Sequence, residues 1–375
     1  MKFSHLPNEI IVHVLQSCNT IEDVLCLAST CHHLQAILQA PSNRIPTLFA
    51  AAESQYGPLT DAVRLVTHNA SQPAHAPRAE PPQSLALLRQ LTSVGRVAEA
   101  WTELYPCLKW RGEASSSRRF LKESERCALR RAVYRSWLYS IAFHTPTHDR
   151  TTRRVPPMLR QRAMLLHLWS TSELAELLDL QLIYRQILTS TITPSNATVV
   201  RKHKQRHPDD PFPLVSVTHP GKYASLHNNF NLQSRLSTFH STPHSSHLLP
   251  FAPTEKYTRT QRELHGTTLE GWGDEITHYY VLEDMLKLHP GQLLYLYSTI
   301  MDATQGNFHP GQSAKGLVES FVAGLEGGGG WFENNGETMG ETIGFVIGER
   351  GGRLEEVRAA VEEGVWGVTC DMGGG

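Results

Sequence analysis

Apolar residues recur at three- and four-residue spacing in four stretches of this 375-residue chain, and polar runs rich in proline, serine and histidine divide them. That period lines one face of an α-helix, so the pattern predicts helices. The first stretch covers residues 6–48. The second opens at Ser84, a suitable N-cap, and carries Leu85, Leu88, Leu91, Val97, Trp101 and Leu104. It runs on through "ERCALRRAVYRSWLYSIAFH", where Leu129, Val133, Trp137 and Ile141 step by four. In the third, "RAMLLHLWSTSELAELLDLQLIYRQIL", Ser170 precedes Glu173 by three residues. This capping-box pattern places a junction between two helices there. The fourth begins with "GWGDEITHYYVLEDMLKLHPGQLLYLY". Asp274 suits the cap of a helix bearing Ile276, Tyr279, Leu282 and Leu286, and Pro290–Gly291 turns the chain into another. A last helix is expected over residues 353–361.

The intervening runs predict loops. "NASQPAHAPRAEPPQS" has prolines and no large aliphatic residue, and "TPTHDRTTRRVPP" breaks the chain again. Residues 191–271 turn polar without a sustained period, which predicts a flexible loop or disordered insertion. "GLEGGGGWFENNGETMGETIGFVIGERGG" predicts a flexible glycine-rich loop with short apolar pieces. Strands are scarce, since Pro194 interrupts the one β-branched run, "TSTITPSNATVV", and no propeller or leucine-rich period recurs. The expected fold is mainly α and irregular, with long loops. Its divisions are an N-terminal three-helix unit at 1–48, a helical region at 84–190, the insertion at 191–271, and a C-terminal helical region at 272–370.

Three short helices are expected within the first forty residues. Pro7 suits a first-turn position, where its missing N–H would have had no partner. Ile10, Ile11, Val14, Leu15 and Cys18 follow on adjoining faces. Thr20 and Asp23 form an approximate capping pair for a second helix with Val24, Leu25, Leu27 and Ala28. Ser29 or Thr30 can start a third, with Cys31, Leu34, Ile37 and Leu38 inward. A unit of about forty residues rarely buries so much apolar surface alone, so the surplus predicts a partner.

"LPNEIIVHVLQSCNTIEDVLCLASTCHHLQAIL" resembles an F-box, the three-helix module of SCF ubiquitin ligases. The matching pieces are Leu6–Pro7, the acidic Glu9, the Ile10/Val14/Leu15 stripe, "EDVLCLASTC", and the large apolar Leu34. Cys18 stands where leucine is common, and Leu34 where tryptophan is often found. The resemblance spans the whole module but only about a tenth of the chain. It implies docking on a Skp-type adaptor, which bridges to a cullin and its RING subunit. Leu6, Pro7, Ile10, Val14, Leu15, Val24, Leu25, Leu27, Ala28, Cys31 and Leu34 then contact the adaptor or form the module's core, and the sequence does not divide those roles. The remaining layout is similar to fungal F-box proteins with helical C-terminal regions.

Composition narrows the function further. Apolar residues at 40% and charged residues at 19% fit a globular protein with polar linkers. A net charge of −1 supplies no general attraction for nucleic acid or an anionic membrane, and neither partner is expected. No apolar run approaches the roughly 18 residues of a membrane helix. The six cysteines show no CxxC pair, and the first residues lack the features of a signal peptide, so the expected location is cytosol or nucleus.

Arg126, Arg130, Arg131 and Arg135 share one broad side of a predicted helix. They are either a solvated row paired with Glu123 and Glu125, or a face for an acidic or phosphorylated target, because guanidinium binds phosphate bidentately. "RKHKQRH", beginning at Arg201, is short and followed at once by "PDD". Cys26, Cys31, His32 and His33, and separately His240, His244 and His247, do not complete a zinc spacing, so no metal or other cofactor is expected. HExxH, GxSxG and the P-loop pattern are absent. Glu333, Glu337 and Glu341 recur every four residues, but Gly336 and Gly340 disfavour the helix that would align them. The expected function is therefore non-catalytic: the substrate-recognition subunit of an SCF-type ligase, recruiting an unidentified protein target. The alternatives are a non-ligase F-box scaffold and an enzyme tethered by its F-box.

Overall fold

The computed structural model describes residues 6–77, 80–110, 119–145, 148, 153–206, 271–273, 275–302, 314–325 and 336–369. These residues hold helices and no strand. The N-terminal unit comprises α1 (Asn8–Gln16), α2 (Ile21–Ser29) and α3 (His32–Gln39), followed by α4 (Pro41–Tyr56) and α5 (Leu59–Val66). The body is built on α6 (Leu85–Lys109), α7 (Glu123–Phe143), α8 (Pro156–Leu166) and α9 (Thr171–Ile187), with a π-turn at Leu188–Ile192 and then α10 (Asn196–Arg206). Five more complete it: α11 (Glu275–Met285), α12 (Pro290–Asp302), α13 (Ala314–Gly324), α14 (Met339–Glu349) and α15 (Leu354–Glu362).

Local chemistry accounts for several starts. The Thr20 hydroxyl accepts from the Asp23 N–H at 2.9 Å, and Ser84 Oγ accepts from the Leu87 N–H at 3.1 Å. Ser170 and Glu173 close a reciprocal box: the Glu173 N–H donates to Ser170 Oγ at 3.3 Å, and the Ser170 N–H to Glu173 Oε2 at 2.7 Å. Each cap satisfies a donor that the first turn leaves without a carbonyl. Pro41, Pro156 and Pro290 occupy opening positions of α4, α8 and α12, where no N–H is needed. The third helix begins after Cys31 rather than at Ser29 or Thr30.

Helix α4 is the joint of the molecule. It packs on α1, α2 and α3, and also on α6. Gly95 of α6 lets the backbones approach, because a Cβ there would stand 2.5 Å from Tyr56 Cγ. Tyr134 Oη then donates to the Tyr56 carbonyl at 2.8 Å, locking the end of α4 to α7. Within the body α7 lies among α5, α6 and α9, while α14 covers α8 and α15 covers α9. Trp101, fully buried, donates its indole N–H to the Pro290 carbonyl at 3.2 Å and meets the Tyr184 ring edge-on at 4.8 Å.

Several expectations change. The end of the stretch expected as a flexible glycine-rich loop is instead α14, whose Ile343, Val346 and Ile347 are buried. A boundary at residue 48 falls inside α4, which keeps buried residues on past it (Phe49, Ala51, Ala52 and Tyr56) and packs on α6 as well as on α1–α3. The part of the polar insertion before residue 207 is ordered, as a π-turn and α10. Its flanks are pinned: the Trp272 N–H donates to the Pro194 carbonyl at 2.9 Å, and the Asn196 N–H to the Gly273 carbonyl at 3.0 Å. Residues 207–270, Asp274, the run of four glycines and Cys370 lie outside the described residues, as does the Ile276 side chain. The arginines on α7, treated below, are a further change.

Candidate functional site

The eleven residues of the expected adaptor face divide cleanly by burial. Leu15, Val24, Ala28 and Leu34 are buried, with Ile11, Ile37 and Leu38 beside them. They face inward on helices that pack on α4, so this chain itself covers most of the apolar stripe that predicted a partner. Leu6, Val14 and Leu27 are half-buried. Pro7, Ile10, Leu25 and Cys31 are exposed, Ile10 at 48% and Leu25 at 51%. Pro7, Ile10 and Val14 follow one another at three- and four-residue spacing along one side of α1, where they are neighbours. Leu25 is the outward apolar residue of α2. Exposed aliphatic side chains on short, tightly packed helices make a preformed contact surface, because little order must be gained on docking.

The arginine row of α7 is not a free solvated face: all four guanidiniums pair within the chain, Arg130 and Arg135 in burial and Arg126 and Arg131 partly exposed. Arg130 is 3% exposed; it donates through Nε to the Gly57 carbonyl at 2.9 Å and pairs with Glu123 at 2.7 Å and Glu99 at 3.2 Å. Arg135 pairs with Asp61 and with Glu173, each at 2.9 Å, and lies 5.0 Å over the Trp169 ring. Arg131 holds Glu176 through Nε at 3.0 Å, and Arg126 pairs with Glu99. The four guanidiniums therefore clamp α5, α6 and α9 onto α7. Glu123 takes part as the sequence had it, whereas Glu125 is held by Arg119 at 2.6 Å.

A second cluster, not singled out in the sequence, fills the region between α7, α8, α9, α11 and α14. Tyr139, fully buried, shares hydrogen bonds with Thr338 Oγ1 and Thr342 Oγ1, both at 2.9 Å. Arg153 pairs with Glu341 at 2.8 Å, and Arg185 with Glu283 at 3.1 Å. Glu337 is buried ahead of α14. Its Oε1 accepts from Gln181 Nε2 at 2.9 Å, from the Gly340 N–H at 3.2 Å and from the Met339 N–H. Burial first, and then the charge of Glu283, push the Glu337 carboxyl up to about 7. Glu341 does lie in the first turn of α14 together with Gly340, while Glu333 is outside the described residues.

His144, at the end of α7, sends Nδ1 to the Lys287 carbonyl at 3.2 Å. A carbonyl only accepts, so Nδ1 carries the proton and Nε2 keeps its lone pair. Burial, then the charge of Lys287, push this imidazole down to about 3. The signal for the cluster in sequence is weak, because its members come from segments as much as 203 residues apart.

Of the candidate metal ligands, Cys26, Cys31, His32 and His33 are all exposed, and His240, His244 and His247 lie outside the described residues. Among the described residues no three His, Cys, Asp or Glu side chains converge as a metal site, and no helix is long and apolar enough to cross a membrane. Arg201, Lys202 and Lys204 of the basic run lie on α10, where Lys202 Nζ donates to the Ser190 carbonyl; His207 is outside the described residues. No family model matches the chain, and no curated protein or solved structure matches it either.

Proposed function

We propose that the chain is the substrate-recognition subunit of an SCF-type ubiquitin ligase, seating α1–α3 on a Skp-type adaptor and presenting a protein target from its helical body. The observation that carries this reading is the pairing of an F-box-like sequence with a three-helix unit whose Pro7, Ile10 and Leu25 are exposed among the described residues. The protein would then perform no bond chemistry. It would raise the effective concentration of a target lysine near the ubiquitin-loaded enzyme, in cytosol or nucleus.

The arginine row is not part of this target surface, since its charges are used within the chain. The deciding experiment is co-purification with a Skp-type adaptor of wild type and of an Ile10→Asp/Leu25→Asp variant. Adaptor retained by wild type and lost by a variant with unchanged circular dichroism supports the reading. A folded wild type that retains no adaptor sinks it. Cullin in the complex without ubiquitylated co-purifying proteins would replace the ligase receptor by an F-box scaffold.

A further inference from the structure

Arg162 on α8 is 1% exposed, among the most deeply buried large side chains in the protein. Its Nε–H donates to Thr342 Oγ1 at 3.2 Å, and Nη2–H to the Arg153 carbonyl at 2.6 Å. Both acceptors are neutral. Nη1 has no hydrogen-bond partner, and no carboxylate among the described residues pairs with this guanidinium. By contrast Arg130 and Arg135, buried elsewhere in the body, and Lys287, whose carbonyl holds His144, each face a carboxylate. An unpaired buried charge is costly, and arginine does not escape by losing its proton.

A second buried atom is also without a partner: Nε2 of His144. Tyr139 joins the two residues. Its ring lies 5.6 Å from the His144 ring, and its hydroxyl bonds to the same Thr342 Oγ1 that accepts from Arg162. The Arg162 charge acts on both His144 and His148. The chemical demands of the two free atoms are opposite. Arg162 Nη1–H needs an acceptor with negative charge, and the bare Nε2 of His144 needs a donor. Sulfate or an ionised carboxylate meets only the first demand. Water meets both hydrogen bonds and leaves the guanidinium uncompensated.

We propose that Arg162 and His144 form a buried site for a small oxyanion that still carries one O–H, of which monohydrogen phosphate is the simplest member. The charged oxygen accepts from Arg162 Nη1, and the anion's hydroxyl donates to His144 Nε2. This site is independent of the N-terminal unit and of any ligase role, its two ligand residues being Arg162 on α8 and His144 just past the end of α7.

The test is thermal unfolding of the full chain, refolded and dialysed free of phosphate, at near-neutral pH and constant ionic strength. Inorganic phosphate, sulfate and chloride are titrated in parallel on wild type and on Arg162→Met. A ligand bound only to the folded state raises the melting temperature by a few degrees, and the rise saturates with a binding isotherm. The expected result is a saturable rise in phosphate that exceeds the rise in sulfate, and loss of that excess in Arg162→Met. The wild-type comparison of phosphate with sulfate stands even where Arg162→Met does not fold. Equal responses to phosphate and sulfate overturn the proposal, as does no response beyond chloride. A folded Arg162→Met that keeps the phosphate excess overturns it as well.

Discussion

Gly367 passes directly over the buried carboxylate of Asp179, so that a Cβ on Gly367 would stand 2.4 Å from Oδ2. The carboxylate is already engaged: Tyr105 Oη donates to Oδ2 at 2.7 Å, Lys109 Nζ to Oδ1 at 2.8 Å, and the Val368 N–H to Oδ2 at 3.0 Å. The last of these ties the residues after α15 to the core between α6 and α9. Gly367 has φ +102°, a backbone region open to glycine and closed to most side chains. Gly367→Ala therefore adds backbone strain and a clash at one point. The expected loss is about 1–3 kcal/mol of stability, with faster hydrogen exchange at Val368. An unchanged denaturation midpoint and exchange rate would mean that this contact does not hold the segment.

The arginine clamps on α7 should differ sharply in worth. Arg130 is buried with two carboxylates and a carbonyl, so Arg130→Ala takes the donor from the Gly57 carbonyl and leaves Glu99 to Arg126 alone. About 3 kcal/mol or more should be lost in urea unfolding. Arg126 is far more exposed and shares Glu99 with Arg130, so Arg126→Ala should cost about 1 kcal/mol or less. Similar losses from the two variants would contradict the packing described for α6 and α7.

Glu337 should make stability fall as pH rises. Its folded value near 7 lies above the ordinary 4.5, so the folded chain binds the proton more tightly than the unfolded one does. The favourable protonated state is fully present below about pH 4.5 and is lost as pH rises through 7. The cost of ionisation amounts to roughly 3 kcal/mol. Glu337→Gln keeps an acceptor for Gln181 and the Gly340 N–H and carries no charge. Its melting temperature relative to wild type should climb between pH 5 and pH 8 (about the window just given) and then level off. A constant gap across that range would remove the titration from Glu337.

The N-terminal unit offers a contrast between core and surface. Leu15→Ala empties a fully packed position and should cost about 2–5 kcal/mol. Ile10→Asp, on an exposed position of α1, should change stability by about 0.5 kcal/mol or less. Equilibrium denaturation of both variants checks the division. It also shows whether adaptor binding by the Ile10 variant can be interpreted without a folding defect.

Helix starts were legible because caps are local. Thr20, Ser84 and the Ser170–Glu173 box each act within three residues and appear in the structure where the pattern put them. Helix α4 was half hidden: "PSNRIPTLFAAAESQY" holds two prolines, and much of its buried face is small, so its apolar period is faint. The arginine row looked solvated because only Glu123 and Glu125 lie nearby in sequence. Its other partners, from Glu99 to Asp61, sit 27 to 74 residues away, and tertiary packing alone brings them in. The same holds for Arg162 and Thr342, 180 residues apart. Periodicity named the apolar residues of α1–α3 but had no means to tell Leu15 from Ile10. That division depends on where α4 lies.

Because α4 belongs at once to the N-terminal unit and to the body, there is no swivel between them. A chain cut at residue 48 would sever in mid-course the helix on which α1–α3 rest and strip the buried Phe49, Ala51 and Ala52 from it. The two parts should accordingly melt in a single transition. Whatever is seated on Ile10 and Leu25 is held at one fixed bearing to the rest of the molecule, like a tool brazed to its handle. On the proposed ligase reading, reach toward a distant lysine has to come from the target, since this joint supplies none.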